Sequence, residues 1–168
     1  MARAYLGLGA NIPAARTGRL ENFLQALDAL PSRGARVAAV SGLYESPPVG
    51  GVPQRPFLNA AVAVETTLGP RRLLRHLRAI ESALGRRRGA GRGRPRPLDL
   101  DLLLYARVVM QTVDLTLPHP RLRARAFVLR PLLDLSALPP PPGLWLAHPA
   151  LRSQHVRRLQ LPGWPPRL

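Results

Sequence analysis

Two carboxylates on one short apolar run are the residues of this chain best placed to do chemistry. In Pro97-Leu98-Asp99-Leu100-Asp101-Leu102 the side chains of an extended backbone alternate between faces. Asp99 and Asp101 therefore share one face, while Leu98, Leu100 and Leu102 turn toward a core. Like charges one strand repeat apart on an apolar element repel each other and lose hydration, so they need a cation, either arginine or metal. Hard oxygen ligands without nearby cysteine or histidine point to Mg²⁺, which is typically held by one or two carboxylates and completed by substrate phosphates. The plainer alternative is a solvated strand face paired with surface arginines.

The stretch just before the pair narrows the choice. Gly85-Arg86-Arg87-Arg88-Gly89-Ala90-Gly91-Arg92-Gly93-Arg94-Pro95-Arg96 carries four glycines and six arginines, a composition suited to closing guanidinium groups around polyphosphate. Phosphoryl transfer needs little more than metal to bridge oxygens and cations to take up developing charge. The same composition also suits an RGG-like nucleic-acid tether. Position favours the clamp, because the loop abuts the carboxylates.

All 25 basic residues are arginine, against 9 acidic ones. Without lysine there is no Walker-type phosphate loop, no Schiff base and no lysine general base. Without cysteine there are no disulfides, no thiolate metal sites and no thiol nucleophile. An arginine excess of this kind also follows from a GC-rich coding sequence, yet the resulting field still attracts polyanions. No apolar run is long enough to span a bilayer and the N-terminus lacks a signal-peptide core, so a cytoplasmic protein with no membrane partner is expected.

The elements that must position these groups follow from periodicity. Arg3 to Leu8 alternates as a half-buried strand. Leu20, Phe23, Leu24, Leu27 and Leu30 fall at helical spacing until Pro31. Residues 36–43 form a second strand candidate that stops at Ser46-Pro47-Pro48, and residues 59–67 form a third. Leu73, Leu74, Leu77, Ile80 and Leu84 make an apolar helical stripe with Pro70 in the first turn and Gly85 as a C′ stop. Leu98 to Tyr105 is the fourth strand, with a short hairpin partner around Val108 to Met110. Arg121 to Leu133 reads as a helix, and beyond Ser136 proline dominates an irregular tail. The order βαββαβ predicts an α+β fold, a ferredoxin-like core with a mainly antiparallel sheet flanked by helices. Residues 1–135 form its domain, and 136–168 a proline-rich extension packed on it or trailing from it.

Several ordered motifs resemble the 6-hydroxymethyl-7,8-dihydropterin pyrophosphokinase family. They are Ala4-Tyr5-Leu6-Gly7-Leu8-Gly9-Ala10-Asn11, Ser46-Pro47-Pro48-Val49-Gly50, Phe57-Leu58-Asn59-Ala60-Ala61, and Ile80-Glu81 before Gly85-Arg86. Pro95-Arg96-Pro97-Leu98-Asp99-Leu100-Asp101 follows, then Leu117-Pro118-His119-Pro120 and Arg125-Ala126-Phe127-Val128-Leu129. The resemblance implies transfer of pyrophosphate from ATP to a pterin alcohol in folate biosynthesis. It further implies two Mg²⁺ at Asp99 and Asp101, with Arg86 and Arg96 steadying the transferring group. Arg88, Thr116, His119 and Arg125 would contact ATP. Asn59 would bond the pterin edge, Phe57 and Phe127 would pack on its faces, and the backbone of Ser46, Pro47 and Val49 would read its polar rim. Bottom-up chemistry agrees, since a flat heterocycle wants aromatic faces and an amide that both donates and accepts. Without the family, Phe57 and Phe127 read as core aromatics and His119 as a loop residue capping backbone.

The chain departs from the family pattern at Gly93-Arg94, where an aromatic followed by glycine is usual, at Phe57, commonly tyrosine, and at Pro97, commonly threonine. Gly7-Leu8-Gly9-Ala10-Asn11-Ile12 lacks the third glycine of a dinucleotide fingerprint. The competing reading is an RRM-like RNA-binding module, which the topology and charge both suit. Three phenylalanines, three tyrosines and two tryptophans, without a paired strand cluster, argue against it. Small-molecule substrates, no specific nucleic acid and a monomer are therefore expected.

Overall fold

The computed structural model describes residues 1–12, 18–48, 53–85, 95–138 and 145–167. Its centre is an antiparallel sheet in which β1 (Ala2–Ala10) lies between β5 (Asp99–Tyr105) and β4 (Phe57–Thr66). Both β2 (Ala35–Val40) and β3 (Leu43–Ser46) pair with β4. Helices α1 (Arg19–Ala29) and α2 (Pro70–Ala83) pack on one sheet face, and α3 (Ala126–Asp134) packs on the other. The strand order is that of the expected ferredoxin-like core, with its second strand in two pieces.

Alternation decides which residue faces which layer. Leu6 and Leu8 of β1, Leu58, Val62 and Val64 of β4, and Leu100 and Leu102 of β5 join Phe23, Leu73 and Leu77 in one buried cluster beneath α1 and α2. The α2 stripe read from the sequence is thus the buried face, and Gly85 closes the helix at φ +90°, where any other residue is strained. The opposite residues, Gly7, Gly9, Asn59, Ala61, Asp99 and Asp101, face the α3 side. Alternation places Leu103 there as well, against Ala61, Leu122, Leu129 and Leu132, and the register shift just beyond it keeps Leu104 on that side and turns Tyr105 to the other core.

Four expectations need correction. The strand expected over residues 36–43 breaks at Ser41-Gly42. Ser41 still gives its amide to Ala61 O at 2.9 Å, but its Oγ takes the Ala61 amide at 2.8 Å and Asp134 takes the Gly42 amide at 2.9 Å, so side chains supply the remaining bonds where the ladder breaks. The helix expected from Arg121 begins at Ala126, because residues 119–125 are held by tight turns. Val108 to Met110 does not pair with the fourth strand: β6 (Met110–Gln111) and β7 (Thr116–Leu117) form a separate two-stranded sheet. The tail is not irregular where it is described. β8 (Arg157–Leu159) pairs with β3, Leu138 and Leu151 are buried against α3, and the Trp164 ring lies 5.9 Å from Phe23. Arginines on a short edge strand carry no period-2 signal, so β8 is invisible to pattern reading.

Candidate functional site

Glycine makes the floor of the site. Gly9 pairs with Asp99 on one side and Asn59 on the other, and Gly7 pairs with Asp101 and Ala61. Because β1 contributes no side chain at these positions, the carboxylates of β5 and the amide of β4 stand on either side of a bare strip. Around it opens a concave cleft, the shape in which small-molecule sites are usually built. Ser46, Pro47 and Phe57 line one end, and Arg96, Arg125 and Phe127 also reach it.

The two ends differ chemically. At the apolar end the buried Asn59 gives its amide hydrogens to Ser46 Oγ at 3.0 Å, Phe57 O at 3.2 Å and Tyr44 O at 3.3 Å. Its orientation is thereby fixed, with Oδ1 beside the Gly9 strip. At the charged end Arg96 Nη1 meets Asp99 Oδ2 at 2.6 Å, both side chains being about a quarter exposed. The Arg125 guanidinium stands over the Phe127 ring at 5.3 Å, a cation–π contact. Burial lowers the pKa of Arg125 and so does neighbouring Arg121, while Asp101 and Asp99 pull the other way. Burial is tolerated because the two aspartates offset it.

A frame of buried amides holds the start of β5. Asn11, fully buried at the end of β1, accepts the Arg96 amide at 2.8 Å and donates to Gln54 at 2.9 Å. Asn22 of α1 donates to Pro97 O at 2.8 Å, and Glu81 of α2 accepts the Leu100 amide at 2.8 Å. Three elements thus fix the backbone on both sides of Asp99. The sequence alone does not mark these positioning residues, or Gly7 and Gly9, as site residues. Asn11, Gly9 and Glu81 lie inside the quoted motifs, but only tertiary contact gives them a role.

The structure brings Asp99, Asp101, Arg96, Arg125, Asn59, Ser46, Pro47, Phe57 and Phe127 together at one cleft. Thr116 lies on β7 and is not among its lining residues. His119 is not either, but Arg125 and Asp99 are close enough for their charges to act on its ring. Val49, Arg86 and Arg88 fall outside the described residues, as does the Gly93-Arg94 departure.

A profile of the 7,8-dihydro-6-hydroxymethylpterin-pyrophosphokinase (HPPK) family matches residues 5–137. The chain belongs to this family. The 2-amino-4-hydroxy-6-hydroxymethyldihydropteridine pyrophosphokinase of Methylorubrum extorquens is 46% identical over 136 residues, 81% of this chain and 84% of that protein. The Bacillus subtilis protein of the same name is 43% identical over 134 residues, 79% of this chain and 77% of its own length. The fold also matches the HPPK-DHPS of Plasmodium falciparum in complex with STZ-DHP, with a TM-score of 0.60 at 14% identity, over 79% of this chain and 39% of that one.

In an HPPK-family chain the RNA-binding alternative finds no support. An RRM-like module stacks bases on an open sheet face; here α3, Leu138 and Leu151 cover that face. The donor set does fit magnesium. Asp99 and Asp101 offer hard oxygens on one face beside a cleft, and no cluster of three or more acidic or histidine ligands occurs among the described residues. A site with two protein carboxylates leaves its other positions to phosphate and water, which is how Mg²⁺ is usually bound.

His119 yields a pH prediction for the ligand-free protein. Burial pushes its pKa down to about 4, Arg125 and Arg121 add to the shift, and Asp99 opposes it. The neutral ring accepts the Arg121 amide at Nδ1, 3.2 Å away. Because the folded pKa lies below the unfolded value, the unfolded chain takes up the proton first as pH falls. The stability that neutral His119 contributes above about pH 6.5 is therefore lost between 6.5 and 4. His119→Gln keeps an acceptor and should flatten the melting temperature against pH across that window; a slope equal to wild type refutes the assignment.

Proposed function

We propose that this HPPK-family enzyme transfers the pyrophosphoryl group of ATP to the hydroxymethyl oxygen of 6-hydroxymethyl-7,8-dihydropterin and releases AMP. One observation carries the assignment of roles: an aromatic and amide slot at Phe57, Asn59 and Phe127 adjoins a carboxylate and guanidinium end at Asp99, Asp101, Arg96 and Arg125 in the same cleft.

The reading assigns each end a task. The pterin ring lies against Phe57 and Phe127, with its polar edge on Asn59 and the backbone of Ser46, Pro47 and Val49. This aims the hydroxymethyl group along the Gly9 strip toward the carboxylates. ATP places its β-phosphorus above Asp99 and Asp101, its phosphates meet Arg96 and Arg125, and its outer parts reach Thr116, His119 and Arg88. Two Mg²⁺ held by Asp99 and Asp101 would neutralise phosphate charge when bound. The pterin oxygen attacks the β-phosphorus, the bond from that phosphorus to the oxygen bridging to the α-phosphate breaks, and AMP leaves while the hydroxyl proton passes to solvent. Arg86 and Arg96 hold the transferring group, so catalysis consists of positioning and charge neutralisation without a covalent enzyme intermediate.

The test is a product analysis with ATP, the pterin alcohol and Mg²⁺. AMP and a pterin diphosphate should appear in equal amounts. ADP with a pterin monophosphate would refute the pyrophosphoryl assignment.

A further inference from the structure

The start of α3 has a capping problem whose solution lies in the C-terminal segment. Arg125 is the N-cap residue of α3, with extended backbone (φ −127°, ψ 107°) and no side-chain cap within the helix. The first amides of a helix lack internal partners. The Ala126 amide is satisfied from outside: it donates to Gln154 Oε1 at 2.9 Å. The amide nitrogen of the same side chain, Nε2, donates to Ala124 O at 2.7 Å and to Ala150 O at 2.7 Å. One glutamine thus grips the peptide groups on both sides of Arg125.

The grip is anchored. The Gln154 amide donates to Leu151 O at 3.0 Å, and Leu151 is buried in the cluster that contains Val128, Leu129 and Leu132 of α3. The backbone carrying Gln154 is therefore packed against the helix it caps. The family match ends at residue 137, so this contact comes from a part of the chain outside the shared domain. Arg125 is the residue it holds, and Arg125 reaches the charged end of the cleft with its guanidinium over Phe127.

We infer that Gln154 is a positioning residue for the nucleotide end of the site, fixing the backbone of Arg125 so that its guanidinium meets phosphate without prior ordering. This rests on the reading of Arg125 as an ATP contact. An arginine that must be ordered on binding loses affinity to the entropy of that ordering, and a pre-set one does not. The alternative is a helix cap that serves stability alone.

The two are separated by a double-mutant cycle, with Gln154→Met removing the hydrogen bonds at nearly constant length. Binding of the Mg²⁺ complex of a non-hydrolysable ATP analogue is measured in four proteins: wild type, Gln154→Met, Arg125→Ala and the double variant. Gln154→Met should weaken binding about threefold to tenfold, the loss typical of one ordinary hydrogen bond, and should have no further effect once Arg125 is alanine. A lowered melting temperature with unchanged affinity, or an equal loss of affinity in both backgrounds, overturns the inference and leaves a structural cap. A second readout needs no variant. By linkage, if Gln154 helps the nucleotide, the nucleotide must stabilise the Gln154 contact, so the analogue should slow hydrogen exchange at the Ala126 amide. Exchange unchanged by saturating analogue also overturns the inference. Wild-type protein that binds no nucleotide refutes the proposed function itself; wild-type binding that Gln154→Met leaves intact refutes only the inference.

Discussion

Asp99→Asn and Asp101→Asn should each reduce turnover by about 10²- to 10³-fold while moving the melting temperature by no more than about 5 °C. Asparagine has nearly the same shape as aspartate, and both positions are half-buried on the cleft face of β5, with the leucine face of the strand untouched. Folding therefore keeps its main contribution. Asp99 loses its 2.6 Å contact with Arg96 as a charge pair, but an amide oxygen still accepts from the guanidinium. What the amide cannot replace is negative charge for a divalent cation. Both variants should accordingly need far more Mg²⁺ for half-maximal activity, a shift that a purely structural pair of carboxylates would not produce. Either variant retaining more than about a tenth of turnover at ordinary Mg²⁺ would make Asp99 and Asp101 counter-charges for Arg96 and Arg125 only.

The pair was readable because strand alternation is a local property. Leu98, Leu100 and Leu102 declare the inward face, so the outward aspartates follow from the sequence with no knowledge of their neighbours. The same logic gave α2, whose stripe Leu73, Leu74, Leu77 and Ile80 is the buried face. What it could not give was the second strand's break at Ser41-Gly42, since the cause is distant: the Ala61 amide, Asp134, and the Trp164 indole, which donates to Ser41 O at 2.8 Å. Gly42 belongs to the same case, because a Cβ there would stand 2.8 Å from Arg158 Nε and 3.0 Å from Asp134 Oδ2. The side chains that pass over it come from residues 92 and 116 positions further along.

The site divides in the same way. Asp99, Asp101 and Asn59 announce themselves by polarity on apolar strands, whereas Phe57 and Phe127 read as core until the family motif is considered. Arg125 is legible only through that motif, and the cap that fixes its backbone lies in a segment whose proline content hides its packing. The positioning amides Asn11 and Asn22 and the carboxylate Glu81 are buried polar residues that sequence reasoning has no reason to bury. Each is explained once its partner on residues 96–100 is known.

Gly9→Val should abolish pterin binding, raising its dissociation constant by about 100-fold or more, while leaving the protein as stable as wild type or slightly more so. The reasons for the two effects are independent. A Cβ at Gly9 would meet Asp99 Cβ at 3.7 Å and Asn59 Oδ1 at 3.9 Å, both ordinary contacts, and Gly9 has no left-handed backbone that would strain a side chain. A β-branched residue suits a strand interior, where glycine is entropically costly by roughly 0.5–1 kcal/mol. Nothing that a Cβ would meet there therefore opposes a side chain. Its methyl groups, however, extend beyond Cβ into the strip between Asn59 and Asp99, where the proposed ring and its hydroxymethyl arm pass. Gly9→Ala, adding only the Cβ, should give a smaller loss of about threefold to tenfold, so that affinity falls with side-chain volume while the melting temperature does not. If Gly9→Val binds the pterin as tightly as wild type does, the ring lies elsewhere and the bare strip on β1 is not part of its path.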